Sequence, residues 1–258
     1  MNLQGKIVLI IGAGSGIGKR TGIICASYGA TIVALDINEE AAKKTEETVT
    51  KNGGKCIAIK ADITNRAQVN AVMQEVIAKF GKLDVLVNNA GSTKLGKMID
   101  LEDSVYDFIV NLNMKGPYIM STEAAKVMMP NRKGRIINIT SYCAVRAELA
   151  NAPYCMAKAG VKMMTQVQAL ELGEYGISTV AIAPGDINTE LLQAAAKKRA
   201  EVEGKTVEEV YQVYGSRVPL GRVGEPEDIA ELAAFLCDDK SYFVNGSQIL
   251  CTGGAIMA

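Results

Sequence analysis

Short, wholly apolar runs alternate along this chain with longer stretches that are apolar on one face only. The runs at Ile7–Ile11, Thr31–Leu35, Lys55–Lys60, Leu83–Val87, Arg135–Ile139, Ile177–Ala183 and Ser247–Cys251 are rich in Ile, Val, Leu and Ala. That is the pattern of strands buried on both faces. Helical patterns fill the intervals: Ile17–Tyr28, Glu39–Lys51, Arg66–Phe80, Leu101–Met129, Ala152–Leu172, Asn188–Tyr214 and Pro226–Cys237. Asn52-Gly53-Gly54 stops the second of these, Glu225-Pro226 starts the last, and Gly116-Pro117 predicts a break in the fourth. Strands alternating with helices, without repeat or linker, predict an α/β fold. We expect one domain over residues 1–258: a Rossmann-type doubly wound parallel sheet with helices on both faces. In such sheets ligands bind outside the carboxyl ends of the strands, so the residues just after each strand carry the chemistry.

Composition narrows the function. Of 258 residues, 48% are hydrophobic and 22% charged, enough to build a core without a metal or disulfide staple. Lys+Arg and Asp+Glu number 28 each, a balance that argues against nucleic acid or an anionic membrane as partner. No apolar run approaches the ~18 residues of a membrane span. The run Ile7–Ile11 ends at Gly12 without a small-residue cleavage site, and the six cysteines include no Cys-x-x-Cys pair. We therefore expect reduced thiols and a cytoplasmic protein. Histidine is absent. That removes Ser-His-Asp and Cys-His hydrolases and His-bearing zinc sites, so no metal is expected, and proton transfer falls to Tyr, Lys, Asp, Glu or Cys.

The turn after the first strand reads Gly12-Ala-Gly14-Ser15-Gly16-Ile17-Gly18. It fails G-x-G-x-x-G, because Ile17 holds the third glycine position, and it fails the phosphate loop G-x-x-x-x-G-K-[ST]. It fits G-x-x-x-G-x-G at Gly12, Gly16 and Gly18. Backbone N–H groups and a helix N-terminus there suit a phosphate. Asp36 ends the second strand; a carboxylate there accepts ribose hydroxyls and repels a 2′-phosphate, and Ser15 and Ile37 supply no cation for one. NAD is favoured over NADP. S-adenosylmethionine enzymes share this layout, so the turn alone does not name the reaction.

Tyr154 and Lys158 stand four apart on one helix face, a pair that chance alone often supplies. Its context is more telling. Ser141 follows the fifth strand, Asn88-Asn89-Ala90-Gly91 the fourth, and Asn113 lies in the helical block between. With Asp62 after strand three, and Pro184-Gly185 and Thr189 after strand six, these motifs make the chain resemble the short-chain dehydrogenase/reductase family over its whole length. The resemblance implies NAD(P)-dependent interconversion of an alcohol and a ketone. It implies Tyr154 as acid/base, Ser141 holding the substrate oxygen, Lys158 on the nicotinamide ribose and Asn113 ordering a relay water. Asp62 would meet the adenine amino group, Asn89 the adenosine side and Thr189 the carboxamide. Ile17, Ile63, Ala90, Gly91, Pro184, Gly185 and Ile187 would complete the cofactor wall. A Lys ammonium near the phenol is expected to lower a pKa that is otherwise near 10. Two positions depart from the family: Ile11 where Thr usually precedes the turn, and Thr252 where an acid usually precedes the last Gly-Gly.

Lys94, Arg146, Glu148, Asn151 and Asp186 make the candidate substrate loops polar, and the segment 186–217 resembles the family's substrate lid. They suggest a polyol, sugar acid or hydroxy acid, with Arg146 or Lys94 meeting a carboxylate. Alternatives are a 3-oxoacyl-(acyl-carrier-protein) reductase, a hydroxysteroid dehydrogenase, or a protein that senses NAD(H) without turnover. Resemblance also implies a homotetramer.

Overall fold

A computed structural model describes residues 1–257. Seven strands, β1 Ile7–Ile11, β2 Thr31–Asp36, β3 Lys55–Lys60, β4 Val85–Asn88, β5 Gly134–Ile139, β6 Ile177–Pro184 and β7 Gln248–Cys251, form one sheet. Their order is β3-β2-β1-β4-β5-β6-β7 and every pairing is parallel. The connection from β3 to β4 crosses the sheet, so the strand order reverses between β1 and β4. That reversal opens a crevice at their carboxyl ends.

Period-two alternation splits the core into two layers. Val8 and Ile10 of β1 pack with Cys25 of α1 (Gly16–Ser27), Val49 of α2 (Glu39–Lys51) and Ala233 of α9 (Pro226–Cys237). Ile7, Leu9 and Ile11 pack with Val72 and Val76 of α3 (Arg66–Phe80) and with Met120 and Ala124 of α5 (Gly116–Met128).

The block expected to break at Gly116-Pro117 does not break. α4 (Asp103–Val110) runs through a π-helical turn, Asn111–Lys115, straight into α5. Gly116 N–H reaches back to the Asn111 carbonyl, five residues away. The wider turn absorbs the N–H that Pro117 lacks, which a regular α-helix could not. The long α6 (Ala152–Leu172) carries Tyr154 and Lys158. A buried amide chain seats it: Asn88 Nδ2 donates to Ser121 Oγ (2.9 Å) and Asn138 Oδ1 (2.8 Å), and Asn138 Nδ2 donates to Thr165 Oγ1 (2.9 Å) and Gln168 Oε1 (3.1 Å). Sheet ends and helix are thereby fixed in one register.

The helical stretch expected over Asn188–Tyr214 is two helices, α7 (Glu190–Glu203) and α8 (Val207–Ser216). Gly204 ends the first at φ +65°, and Thr206 with Glu209 caps the second reciprocally. No helix is long and apolar enough to cross a membrane among the described residues.

Candidate active site

The crevice at the carboxyl edge is a cleft of about 640 Å³. The glycine turn forms one end. Gly12 has φ +70°, and a Cβ there would lie 2.8 Å from Ala90 Cα. A Cβ on Gly18 would lie 2.1 Å from the Gly12 carbonyl oxygen. The turn therefore folds back against the first turn of α1 and against the β4 loop, as only glycine allows. Asn89 Nδ2 locks it from below, donating to the carbonyls of Ile11 (3.2 Å) and Gly12 (3.0 Å). This amide does the tying for which Ile11 has no hydroxyl. Ser15 precedes α1 without capping it through its side chain, so its hydroxyl does not occupy the first N–H groups of that helix. A bare, glycine-lined helix N-terminus on a cleft is the cradle a pyrophosphate requires.

Asp36 borders the same end. One carboxylate oxygen accepts from Gly14 N–H and the other from Asn38 N–H, both at 2.9 Å, which aims the carboxylate at the turn. Asp62 is held by the Thr64 N–H (2.8 Å) and hydroxyl (2.7 Å). Gly16, Ile17, Ile63, Ala90, Gly91, Pro184, Gly185, Ile187 and Thr189 complete this wall, and Thr189 also caps α7 by accepting from Leu192 N–H (3.3 Å).

At mid-cleft Ser141, Tyr154 and Lys158 converge. Ser141 is buried, its Oγ accepting from Cys143 N–H at 3.1 Å. Lys158, also buried, donates to the Ile139 carbonyl (2.9 Å), with Nζ 5.5 Å from the Tyr154 ring centroid. Burial lowers Lys158 to a pKa of about 8. The expected lowering of Tyr154 is not what this environment does. Burial pushes the phenol well up, nearby Cys143 adds to it, and a hydrogen bond with Ser141 pulls it partly back. Desolvation of the phenol, with Glu148 and Cys155 adding to it, outweighs the Ser141 hydrogen bond.

Asn113 stands behind the wall rather than on it. Its Nδ2 donates to the carbonyls of Ser92 (2.9 Å) and Ile109 (2.8 Å), and its Oδ1 accepts from Ser92 N–H (3.2 Å). It belongs to the π-helical turn and pins the β4 loop. Gly18 likewise lies off the wall.

The far end holds three of the five polar residues expected there. Glu148, Asn151 and Asp186 line the cleft; Arg146 is exposed and off the wall, and Lys94 sits at the mouth, 5.3 Å above the Phe108 ring. Asn151 is consumed internally, accepting from Thr93 Oγ1 (2.6 Å) and donating to Glu148 Oε2 (2.8 Å). Arg199 of α7 donates to Glu148 Oε1 at 3.3 Å and stacks on Tyr214 at 5.6 Å. Sequence reading missed Arg199 and Phe108, because only tertiary folding brings them to this loop. Burial raises Asp186 to about 6, with Glu148 adding to the effect. Among the described residues, no three His, Cys, Asp or Glu side chains cluster as a metal site would.

A doubly wound sheet with a dinucleotide-shaped turn and a Ser–Tyr–Lys centre defines a Rossmann-fold oxidoreductase. Comparison makes the class specific. Residues 12–255 match the family model described as enoyl-(acyl carrier protein) reductase. The chain is 37% identical to (2S)-[(R)-hydroxy(phenyl)methyl]succinyl-CoA dehydrogenase subunit BbsD of Thauera aromatica, over 98% of both chains. It is 35% identical to 3-oxoacyl-[acyl-carrier-protein] reductase FabG of Thermotoga maritima, over the full length of both. A short-chain type dehydrogenase/reductase from Mycobacterium marinum superposes with a TM-score of 0.92 at 28% identity, covering 100% of this chain and 98% of the other. The chain belongs to the short-chain dehydrogenase/reductase family.

Proposed function

We propose that this protein is an NAD(H)-dependent oxidoreductase that interconverts a polar secondary alcohol and its ketone, with Tyr154 as acid/base. The observation that carries the reading is the convergence of Ser141, Tyr154 and Lys158 in the middle of a cleft whose other wall is the glycine turn and Asp36. When bound, the nicotinamide accepts or returns the hydride of the carbinol carbon. The glycine turn and the α1 N-terminus would hold its phosphates, Asp36 the adenosine ribose, Asp62 and Ile63 the adenine side, and Thr189 the carboxamide end. Ser141 donates to the substrate oxygen, and Tyr154 moves the hydroxyl proton. Lys158 would hold the ribose and supplies the charge that favours the phenolate, while Asn113 fixes the loop behind Gly91.

Asp36 supports NAD rather than NADP, since a carboxylate already aimed at the turn repels a 2′-phosphate. Exposed Tyr118, Met163, Val167 and Leu170 on α5 and α6 support a homotetramer in which further copies cover these helices, and we take the setting to be cytoplasmic. A second reading, reduction of a 3-oxoacyl thioester, draws on the names of the two curated relatives.

Nicotinamide absorbance with NAD and NADP, across diols, hydroxy acids and acyl thioesters, tests the proposal. Turnover with NAD that Tyr154→Phe reduces by about 10³-fold or more is the expected result. Thioester reduction preferring NADPH would favour the second reading. Turnover undiminished in the variant would overturn the assignment of Tyr154.

A further inference from the structure

The far end of the cleft is built to attract a hydrogen-bond donor. Among the described residues of the wall, Lys158 is the only cation, and it lies buried with a bond to the Ile139 carbonyl. Five carboxylates face the same space: Asp36, Asp62, Glu148, Asp186 and Glu190. Three serve other duties or lie elsewhere. Asp36 and Asp62 belong to the glycine-turn end, and Glu190 opens α7.

Glu148 is already spoken for by Asn151 (2.8 Å), the Cys143 thiol (3.5 Å) and Arg199 (3.3 Å). Asp186 is not. It follows Pro184-Gly185 directly, lines the cleft that holds Ser141 and Tyr154, and makes no ion pair among the described residues. Its charged and titratable neighbours are Tyr142, Glu148, Tyr214, Arg199 and Arg217. Of these, Arg199 is bound to Glu148 and Glu203.

We propose that Asp186 is the specificity-determining residue of this site, selecting secondary alcohols that carry a hydroxyl or ammonium group beside the carbinol and rejecting those that carry a carboxylate there. The inference rests on the alcohol–ketone reading above. It revises the expectation of an acid substrate, because Lys94 and Arg146 do not line the wall and the groups that do are anionic. A carboxylate at this end would be desolvated against two like charges, with no cation on the wall but the buried Lys158, whereas a donor would satisfy the open side of Asp186. Burial, with Glu148 beside it, raises the affinity of Asp186 for a proton despite the Tyr142 hydroxyl and Arg217 nearby.

The test uses three compounds that share the group CH3–CH(OH)– and differ only in what is beside it: propane-1,2-diol, 1-aminopropan-2-ol and lactate. Wild-type enzyme with NAD should turn over the diol and the amino alcohol with kcat/KM at least tenfold above lactate. Asp186→Asn should lower the amino alcohol tenfold or more, lower the diol several-fold, and raise lactate. Lactate preferred by wild type, or all three changed alike in the variant, would overturn the inference. The same order is read independently by titrating each compound against the fluorescence of enzyme-bound NADH, with the same expected ranking and the same loss in Asp186→Asn. If NADH binds and none of the three turns over, the dehydrogenase reading fails while the binding order still decides Asp186. Equal affinity for all three would sink it.

Discussion

The two halves of the cleft are made by different means. At the glycine-turn end, polar side chains are satisfied by backbone: Asp36 by two N–H groups, Asn89 by two carbonyls, Asp62 by the turn that follows it. At the far end, side chains satisfy one another across sequence, from Thr93 through Asn151 and Glu148 to Arg199. The first half puts its positive-φ backbone on Gly12. The second puts it on Ala150, φ +60°, between Glu148 and Asn151, where a Cβ costs about 1–2 kcal/mol. Backbone-built recognition tolerates change in side chains away from the turn; side-chain-built recognition changes with any one of its members. A family can therefore keep one cofactor end while its substrate end drifts.

The sharpest way to break the first half is Gly18→Ala. The new Cβ would meet the Gly12 carbonyl at 2.1 Å, a backbone atom that cannot swing aside. We expect NADH affinity to fall about 100-fold or more, as the turn that cradles the phosphates is forced open. Gly173→Ala is the control, because nothing lies within 4 Å of its Cβ position and its φ is −59°. NADH titration of both variants, with circular dichroism to report folding, checks this. Equal affinity in Gly18→Ala and wild type would mean that the turn does not bind phosphate.

The centre of the cleft trades stability for charge. Lys158 has a native pKa of about 8, below the ordinary lysine value, so the folded protein holds this proton less tightly than the unfolded chain. The cost is full below about pH 8, fades as pH rises from there toward the unfolded value, and is gone above it. Lys158→Met should therefore lower activity strongly yet stabilise the fold at pH 7 by up to about 3 kcal/mol, less what the orphaned Ile139 carbonyl forfeits. The gain should vanish near pH 10.5. Thermal unfolding across that range decides it, and a variant less stable than wild type at pH 7 would contradict the account.

How much of this was legible depended on whether the signal was local. The strands, the glycine turn, Asp36 and the Tyr154–Lys158 spacing are each set by residues close in sequence, and each stands where the pattern put it. The end of the helical stretch at Gly204 was also local: Thr206-Val-Glu-Glu209 is a capping signature that reading the stretch as one helix overlooked. The π-helical turn was not local, since Gly116-Pro117 reads as a break unless the Asn111 carbonyl is known to be within reach. Lys94 and Arg146 looked like substrate anchors because they are charged loop residues. Only the three-dimensional course of the loop shows that their neighbours Thr93, Leu95 and Glu148 face the cleft instead.

The smallest expected effect probes the link between the two modes of construction. Arg199 joins α7 to the loop before α6 through Glu148, and joins α8 through the Tyr214 hydroxyl (3.4 Å) and ring. Its side chain is mostly buried, yet Glu148 retains Asn151 and Cys143 when the guanidinium goes, so no carboxylate is left without partners. Arg199→Met should therefore cost only about 1 kcal/mol, a drop in Tm of roughly 2–4 °C. Because the lost contacts all lie at the far end, substrate KM should rise several-fold while NADH affinity stays within twofold of wild type. A shift in NADH affinity as large as the shift in KM would show that the halves of the cleft are coupled through α7, and that the division between them is one of construction but not of function.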